Sequence, residues 1–169
     1  MNILETERLL LRHLNDEDAG FILELLNDPA FIQNIGDRKV RDIEGAKAYI
    51  RNGPAASYAK NGFGLNLVQL KETSESIGMC GLIKRDQLRD VDIGYAFLPG
   101  YRSKGYATES ARAVKEFARQ VVGLKRIVAI VDPRNIGSIH VLEKLGMTFE
   151  KMVKLAADDI ELKLFSVDL

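Results

Sequence analysis

The sequence predicts a mixed α/β fold. Residues 65–70, 77–84 and 91–98 are short β-prone runs joined by polar turns, the pattern of an antiparallel meander. Ala107, Ala111, Val114, Ala118 and Val121 then recur at helical spacing with Phe117 beside them, while the charged residues fall mostly elsewhere. After that helix, Arg126–Val131 is a continuous apolar run of the kind a buried central strand needs.

In chain order, residues 6–13 form the first predicted strand, around Leu9, Leu10 and Leu11. Asn15 caps a helix that carries Phe21, Ile22, Leu25 and Leu26 and ends at Pro29. A short helix with Phe31, Ile32 and Ile35 follows, and a third runs from Asp42 to Arg51 until Gly53-Pro54 breaks it. The meander comes next, its last strand stopped by Pro99-Gly100. The helix over 106–121 leads into the strand at 126–131, and a further helix runs from Asn135 through Leu145 and is closed by Gly146. Phe149, Met152 and Val153, then Ile160, Leu162, Leu164 and Phe165, flank a turn at residues 156–159 and predict a final hairpin. No internal repeat, low-complexity linker or second apolar core divides the chain, so residues 1–169 are expected to form a single domain.

A chain of 169 residues buries about two-thirds of its unfolded surface, so no covalent staple is needed. Its 24 basic and 24 acidic residues balance, which leaves no global basic field for nucleic acid. Cys80 is the only cysteine, which excludes an internal disulfide and a cysteine-based zinc cluster. It lies in an apolar stretch with no His or basic neighbour to favour a thiolate, and reads as a buried inert thiol. His13 and His140 have no companions at ligand spacing, so no metal is expected. The first residues are acidic where a signal peptide would be basic, and no apolar stretch is long enough to span a bilayer. A cytoplasmic protein without a membrane partner is the expectation.

The segment from Leu98 to Glu109 is the most informative. A basic turn punctuated by Gly100 and Gly105 opens directly into an apolar-periodic helix. A helix start leaves backbone N–H groups without intrahelical partners, and the macrodipole adds positive charge there, so the segment predicts an anion site. An ordinary basic loop before an amphipathic helix is the other reading of the same residues. Gly100 and Gly105 have the spacing that begins a nucleotide-triphosphate loop, but Tyr106-Ala107 stands where Lys and Ser/Thr are required. Gly62-Phe63-Gly64 lacks the third glycine of a dinucleotide fingerprint.

Asp92-Ile93-Gly94-Tyr95 on a strand, then Arg102-x-x-Gly105-x-Ala107, a helix, a strand, Asn135-x-x-Ser138 and Leu145-Gly146-Met147 together resemble the GNAT family of acyl-CoA-dependent N-acetyltransferases. The opening Glu5-Thr6-Glu7-Arg8-Leu9-Leu10-Leu11-Arg12 is similar to that of the bacterial ribosomal-protein N-terminal acetyltransferases, so the resemblance covers nearly the whole chain. It implies a mixed, mostly antiparallel sheet, splayed centrally, with helices on both faces. It also implies acetyl-CoA as co-substrate, its pyrophosphate cradled by Arg102, Lys104, Gly105, Tyr106 and Ala107. The pantetheine arm would enter like an extra strand between Tyr95, Phe97 and Leu98 on one side and residues 127–131 on the other, since free main-chain groups there need partners. Asn135 matches an asparagine that reaches the pantetheine, and is also a plausible helix cap. Ser138 matches a serine near the thioester sulfur.

Acetyl transfer from a thioester needs a neutral amine, a polarised carbonyl and a proton for the departing thiolate. Asp92 matches an acidic position of this subgroup and is the candidate base, with substrate orientation as its other reading; a backbone N–H near Phe97 would face the oxyanion. Leu142 stands where many family members carry a tyrosine acid, seven residues after the asparagine, which leaves Ser138 or unassisted thiolate departure. An α-amine has a pKa of about 8 and a lysine about 10.4, so neutralising lysine costs roughly 3 kcal/mol more, and a modest base suits an N-terminal acceptor. The expected activity is acetylation of a protein N-terminus by a monomer or homodimer. A small-molecule amine as acceptor, or a coenzyme binder without turnover, are the alternatives.

Overall fold

The central strands are buried on both faces, with alternate side chains pointing to opposite sides of the sheet and so to different helices. In the computed structural model, which describes residues 2–169, the strands are β1 (Asn2–Glu5), β2 (Leu9–His13), β3 (Leu65–Leu70), β4 (Ser76–Ile83), β5 (Asp92–Phe97), β6 (Arg126–Val131), β7 (Thr148–Val153) and β8 (Leu162–Asp168). The helices are α1 (Ala19–Leu26), α2 (Pro29–Asn34), α3 (Ile43–Asn52), α4 (Pro54–Asn61), α5 (Tyr106–Phe117) and α6 (Ile136–Lys144). One sheet of eight strands runs in the order β1-β2-β3-β4-β5-β6-β8-β7. Every neighbouring pair is antiparallel except β5 with β6.

Leu9, Leu11, Val68, Cys80, Leu82 and Ile93 point to one face, where Ala111 and Val114 of α5 and Leu142 of α6 meet them. Leu67 and Met79 point to the other, into a layer of Ile22, Leu25, Phe31 and Ile50 from α1, α2 and α3. Helices therefore cover both faces, as the resemblance implied. Cys80 is fully enclosed, and burial pushes its thiol up to about 12.

The sheet is closed tightly at one crossing. A Cβ on Gly81 would lie 2.0 Å from the carbonyl oxygen of Gly64, so any side chain there must separate two backbones. Gly81→Ala is expected to destabilise the fold by about 2–3 kcal/mol, read by urea unfolding.

The structure corrects the sequence reading at the first strand, at Pro54 and at Val121. Residues 6–13 are not a single strand: β1 and β2 pair with each other across a turn at Thr6 to Arg8, which has no Gly or Pro to announce it. Gly53-Pro54 not only ends α3 but starts α4, because proline at the first helical position gives up an N–H that has no helical partner. Pro29 starts α2 in the same way, with the Asp28 side chain as cap. Val121 is 70% exposed. Beyond α5, Ala118–Val122 form a π turn, which shifts the phase of the apolar face so that Val122 packs on the core instead.

β5 and β6 are neighbours that barely touch. Their one register pair is Asp92 with Val128, where the Val128 N–H donates to the Val91 carbonyl at 3.0 Å. Beyond it the ladder stops, and the sheet opens toward the C-terminal ends of both strands.

Candidate active site

The glycine loop lies at the mouth of that opening. Ser103 and Gly105 both take left-handed backbone, with φ of 60° and 84°. This turns the chain so that Gly105 precedes α5 without any side-chain cap on the first turn's N–H groups. Glycine suits the second of these positions because a Cβ is strained there. The Arg102 side chain reaches back toward β5 and α2 along the cavity that the loop also lines. Its Nη2 donates to Asp28 Oδ2 at 2.5 Å and to the Phe97 carbonyl at 2.9 Å, tying the loop to the start of α2. Lys104 is exposed, and its carbonyl accepts from Arg8 Nη1 at 3.1 Å. Tyr106 lies beneath the Arg8 guanidinium, 4.4 Å from its ring centroid.

A cavity of about 500 Å³ runs from the loop between β5 and α6, with Phe97, Gly105, Ala107 and Val141 on its walls. A second, of about 550 Å³, lies beyond β5 against α2, α3, β6 and the β7–β8 turn, and contains Asp92, Arg85 and Tyr49. The two meet at Tyr95, Ala96, Asn135 and Ser138 and, at α2 and its C-terminal cap, at Phe31, Asn34 and Ile35, all of which line both. Leu98 and Lys104, expected near the coenzyme, line neither: Leu98 packs toward the α1–α3 layer, and Lys104 faces outward.

At the junction, the Tyr95 hydroxyl lies 2.8 Å from Ser138 Oγ and donates to the Ser138 carbonyl at 3.1 Å. Burial raises the Tyr95 pKa far above its ordinary value, so the ring keeps its proton as a neutral donor. Asn135 Oδ1 accepts from the Ser138 N–H at 3.2 Å, the cap geometry one of its two readings required. Leu142, 1% exposed, belongs to the apolar core and brings no polar group to the gap. The pairing of Tyr95 with Ser138 has no signal in the sequence, because topology alone joins positions 43 residues apart.

Asp92 stands where β5 and β6 part, 1% exposed. Arg85, from the turn between β4 and β5, reaches its Oδ1 through Nε at 3.1 Å. Burial pushes the Asp92 carboxyl up to about 6 even though the guanidinium favours its charged form. That range suits a group that must exchange a proton near neutrality. Arg85 was missed at the sequence level, since a basic residue in a polar turn carries no mark of an inward role. Among the described residues no cluster of three His, Cys, Asp or Glu side chains has metal-binding geometry, and no helix is long and apolar enough to cross a membrane.

The family described as acetyltransferase (GNAT) domain matches residues 8–148. The N-acetyltransferase YoaA of Bacillus subtilis (strain 168) is 31% identical over 153 residues, which cover 90% of this chain and 86% of that protein. The acetyltransferase from Agrobacterium tumefaciens str. C58 has a similar structure, with a TM-score of 0.83 at 26% identity, covering 99% of this chain and 94% of that one. RimL, a ribosomal-protein α-N-acetyltransferase in complex with coenzyme A, shares the fold with a TM-score of 0.83 at 17% identity, covering 100% and 98%.

Proposed function

The chain belongs to the GNAT acetyltransferase family, and on that premise we propose that it acts as a single cytoplasmic domain that acetylates the α-amine of a protein N-terminus with acetyl-CoA. The observation that carries this reading is the junction of two cavities at Tyr95 and Ser138, with an anion loop at the far end of one and a buried Asp92 in the other. The residues present fit the donor. The left-handed Gly105 and the uncapped start of α5 suit a pyrophosphate, and the open side of β5 from Tyr95 to Phe97 suits an amide-bearing arm.

Acetyl-CoA supplies an activated thioester, and the protein supplies position and protons. Main-chain N–H groups of Gly105, Tyr106 and Ala107 bind the pyrophosphate. Asn135 and the β5 main chain orient the arm. Asp92, as a carboxylate, takes one proton of the acceptor ammonium directly or through water; as the new C–N bond forms and the C–S bond breaks, the second amine proton is left for the departing thiolate. For Ser138 Oγ–H to hydrogen-bond to the departing sulfur, the Tyr95 hydroxyl gives its own proton to Ser138 Oγ instead of the carbonyl, a polar pair in place of the tyrosine missing at Leu142. A carboxyl near 6 is a modest base, better matched to an α-amine of pKa about 8 than to a lysine at about 10.4.

The test is free-thiol release from acetyl-CoA against a panel of N-terminal peptides and small primary amines. Release with peptides is the expected result. No release with any acceptor overturns the activity, and coenzyme binding without release identifies a non-catalytic binder. The β7–β8 turn, through Asp158, Asp159 and Ile160, walls one side of the acceptor cavity and favours a compact small-molecule amine as the second reading. Release with small amines alone would select it.

A further inference from the structure

The turn between β1 and β2 lies far from the gap in sequence, yet it is bound to the glycine loop. Thr6 Oγ1 donates to Glu109 Oε2 at 2.5 Å, and the Arg8 main-chain N–H donates to the same oxygen at 3.0 Å. Arg8 Nε donates to Glu109 Oε1 at 2.7 Å, and Nη1 to the Lys104 carbonyl at 3.1 Å. The guanidinium also stacks on Tyr106, and its Nη2 lies 3.3 Å from where a Cβ on Gly105 would be. One side chain thus touches Lys104, Gly105, Tyr106 and Glu109, the loop and the first turn of α5.

Fold stability is a poor explanation for this arrangement. The Arg8 and Glu109 side chains are 43% and 20% exposed, and ion pairs in that setting contribute little to folding. Glu109 raises a second matter. A carboxylate in the first turn of α5 occupies the same positive field that an incoming phosphate would use, and left alone it would repel that phosphate. Both its oxygens are engaged by Thr6 and Arg8. Burial works against the charged form, but these hydrogen bonds hold the Glu109 carboxyl below its usual range, so it is a carboxylate at neutral pH.

We infer that Arg8 is a positioning residue for the donor. It holds the loop in its anion-binding shape and cancels the charge of Glu109, so that α5 presents a net positive end to the pyrophosphate. The inference rests on the acetyl-CoA reading. It gives Glu5-Thr6-Glu7-Arg8, a motif otherwise remote from the chemistry, a role in coenzyme affinity.

Calorimetric titration of coenzyme A into the wild type, Arg8→Gln, Arg8→Lys, Glu109→Gln and the Arg8→Gln/Glu109→Gln double variant tests it, with thermal unfolding of each protein alongside. Arg8→Gln should weaken coenzyme A by about tenfold, the loss of charge-assisted hydrogen bonds at the loop. Arg8→Lys should not rescue it, since one ammonium cannot serve Glu109, the Lys104 carbonyl and the Tyr106 ring as the planar fork does. Glu109→Gln should cost less than Arg8→Gln, and the double variant should bind better than Arg8→Gln because the uncompensated carboxylate is gone. A merely structural brace would make the double variant the worst of the set. The kcat at saturating acetyl-CoA and the acceptor KM should stay unchanged.

Binding by Arg8→Gln within about twofold of the wild type, or a double variant no better than Arg8→Gln, overturns the inference. If Arg8→Gln fails to fold, Arg8→Lys with and without Glu109→Gln carries the same comparison. A wild type that binds no coenzyme A defeats the acetyl-CoA reading instead.

Discussion

Asp92→Asn is expected to lower the rate of acetyl transfer by about 10²–10³-fold near neutral pH, the usual worth of a positioned general base. The same change should remove the rise in kcat through pH about 6. As the proposed base, Asp92 works as the carboxylate, so wild-type activity is expected to climb as pH passes its folded-state value. Asparagine keeps the shape and cannot accept the proton, so the variant's rate should follow the acceptor's own ionisation, with a pKa of about 8 for an α-amine. The deficit is therefore greatest at lower pH. Coenzyme affinity should persist, because Asp92 lies in the cavity away from the loop. The stability effect has a definite sign. The folded-state value lies above the unfolded value of about 3.9, so the wild type loses stability as pH rises from there through about 6, and the variant does not lose this contribution. Steady-state kinetics across pH decide the matter: profiles that coincide for the two proteins would remove Asp92 as the base.

Gly105→Val should weaken coenzyme A by about 10–100-fold, since a β-branched residue at left-handed φ costs on the order of 1–3 kcal/mol and its relief takes the loop out of shape. The Gly105 φ is 84°, and the new Cβ would also lie 3.3 Å from Arg8 Nη2. The backbone has two responses, to hold the strain or to flip to negative φ, and the second turns the amides off the anion. Gly100→Val is the control. Nothing lies within 4 Å of its added Cβ and its φ is ordinary, so it should bind coenzyme A like the wild type. Titration calorimetry gives both values, and tight binding by Gly105→Val would remove the loop from the donor site.

Much of this arrangement was legible because local chemistry speaks at particular places. The meander of β3, β4 and β5 could be read from its polar turns, and the loop from glycine spacing ahead of an amphipathic helix. Asp92 came from the resemblance, as an acidic position on the strand ahead of that loop. What escaped depends on long-range placement. Where the Arg102 side chain goes is decided by Asp28, 74 residues away, and the turn at Thr6 to Arg8, closed locally by the Thr6–Leu9 hydrogen bonds, takes its remaining partners from Glu109 and the loop. Likewise, Arg85 becomes an inward-facing group only because β4 and β5 pair in a register that sets their connecting turn over Asp92.

The lone register pair between β5 and β6 also divides the sheet mechanically. Five strands lie on one side of it and three on the other, with few main-chain hydrogen bonds resisting relative motion at the boundary. Amide protons along that boundary are expected to exchange through local opening rather than global unfolding, as hydrogen exchange would read. On the donor reading proposed above, a coenzyme arm whose amides engage this gap would act there as a keystone. Resistance to heat is then expected to grow with coenzyme concentration by mass action, so that the supply of acetyl donor would set how long the protein survives as well as how fast it turns over.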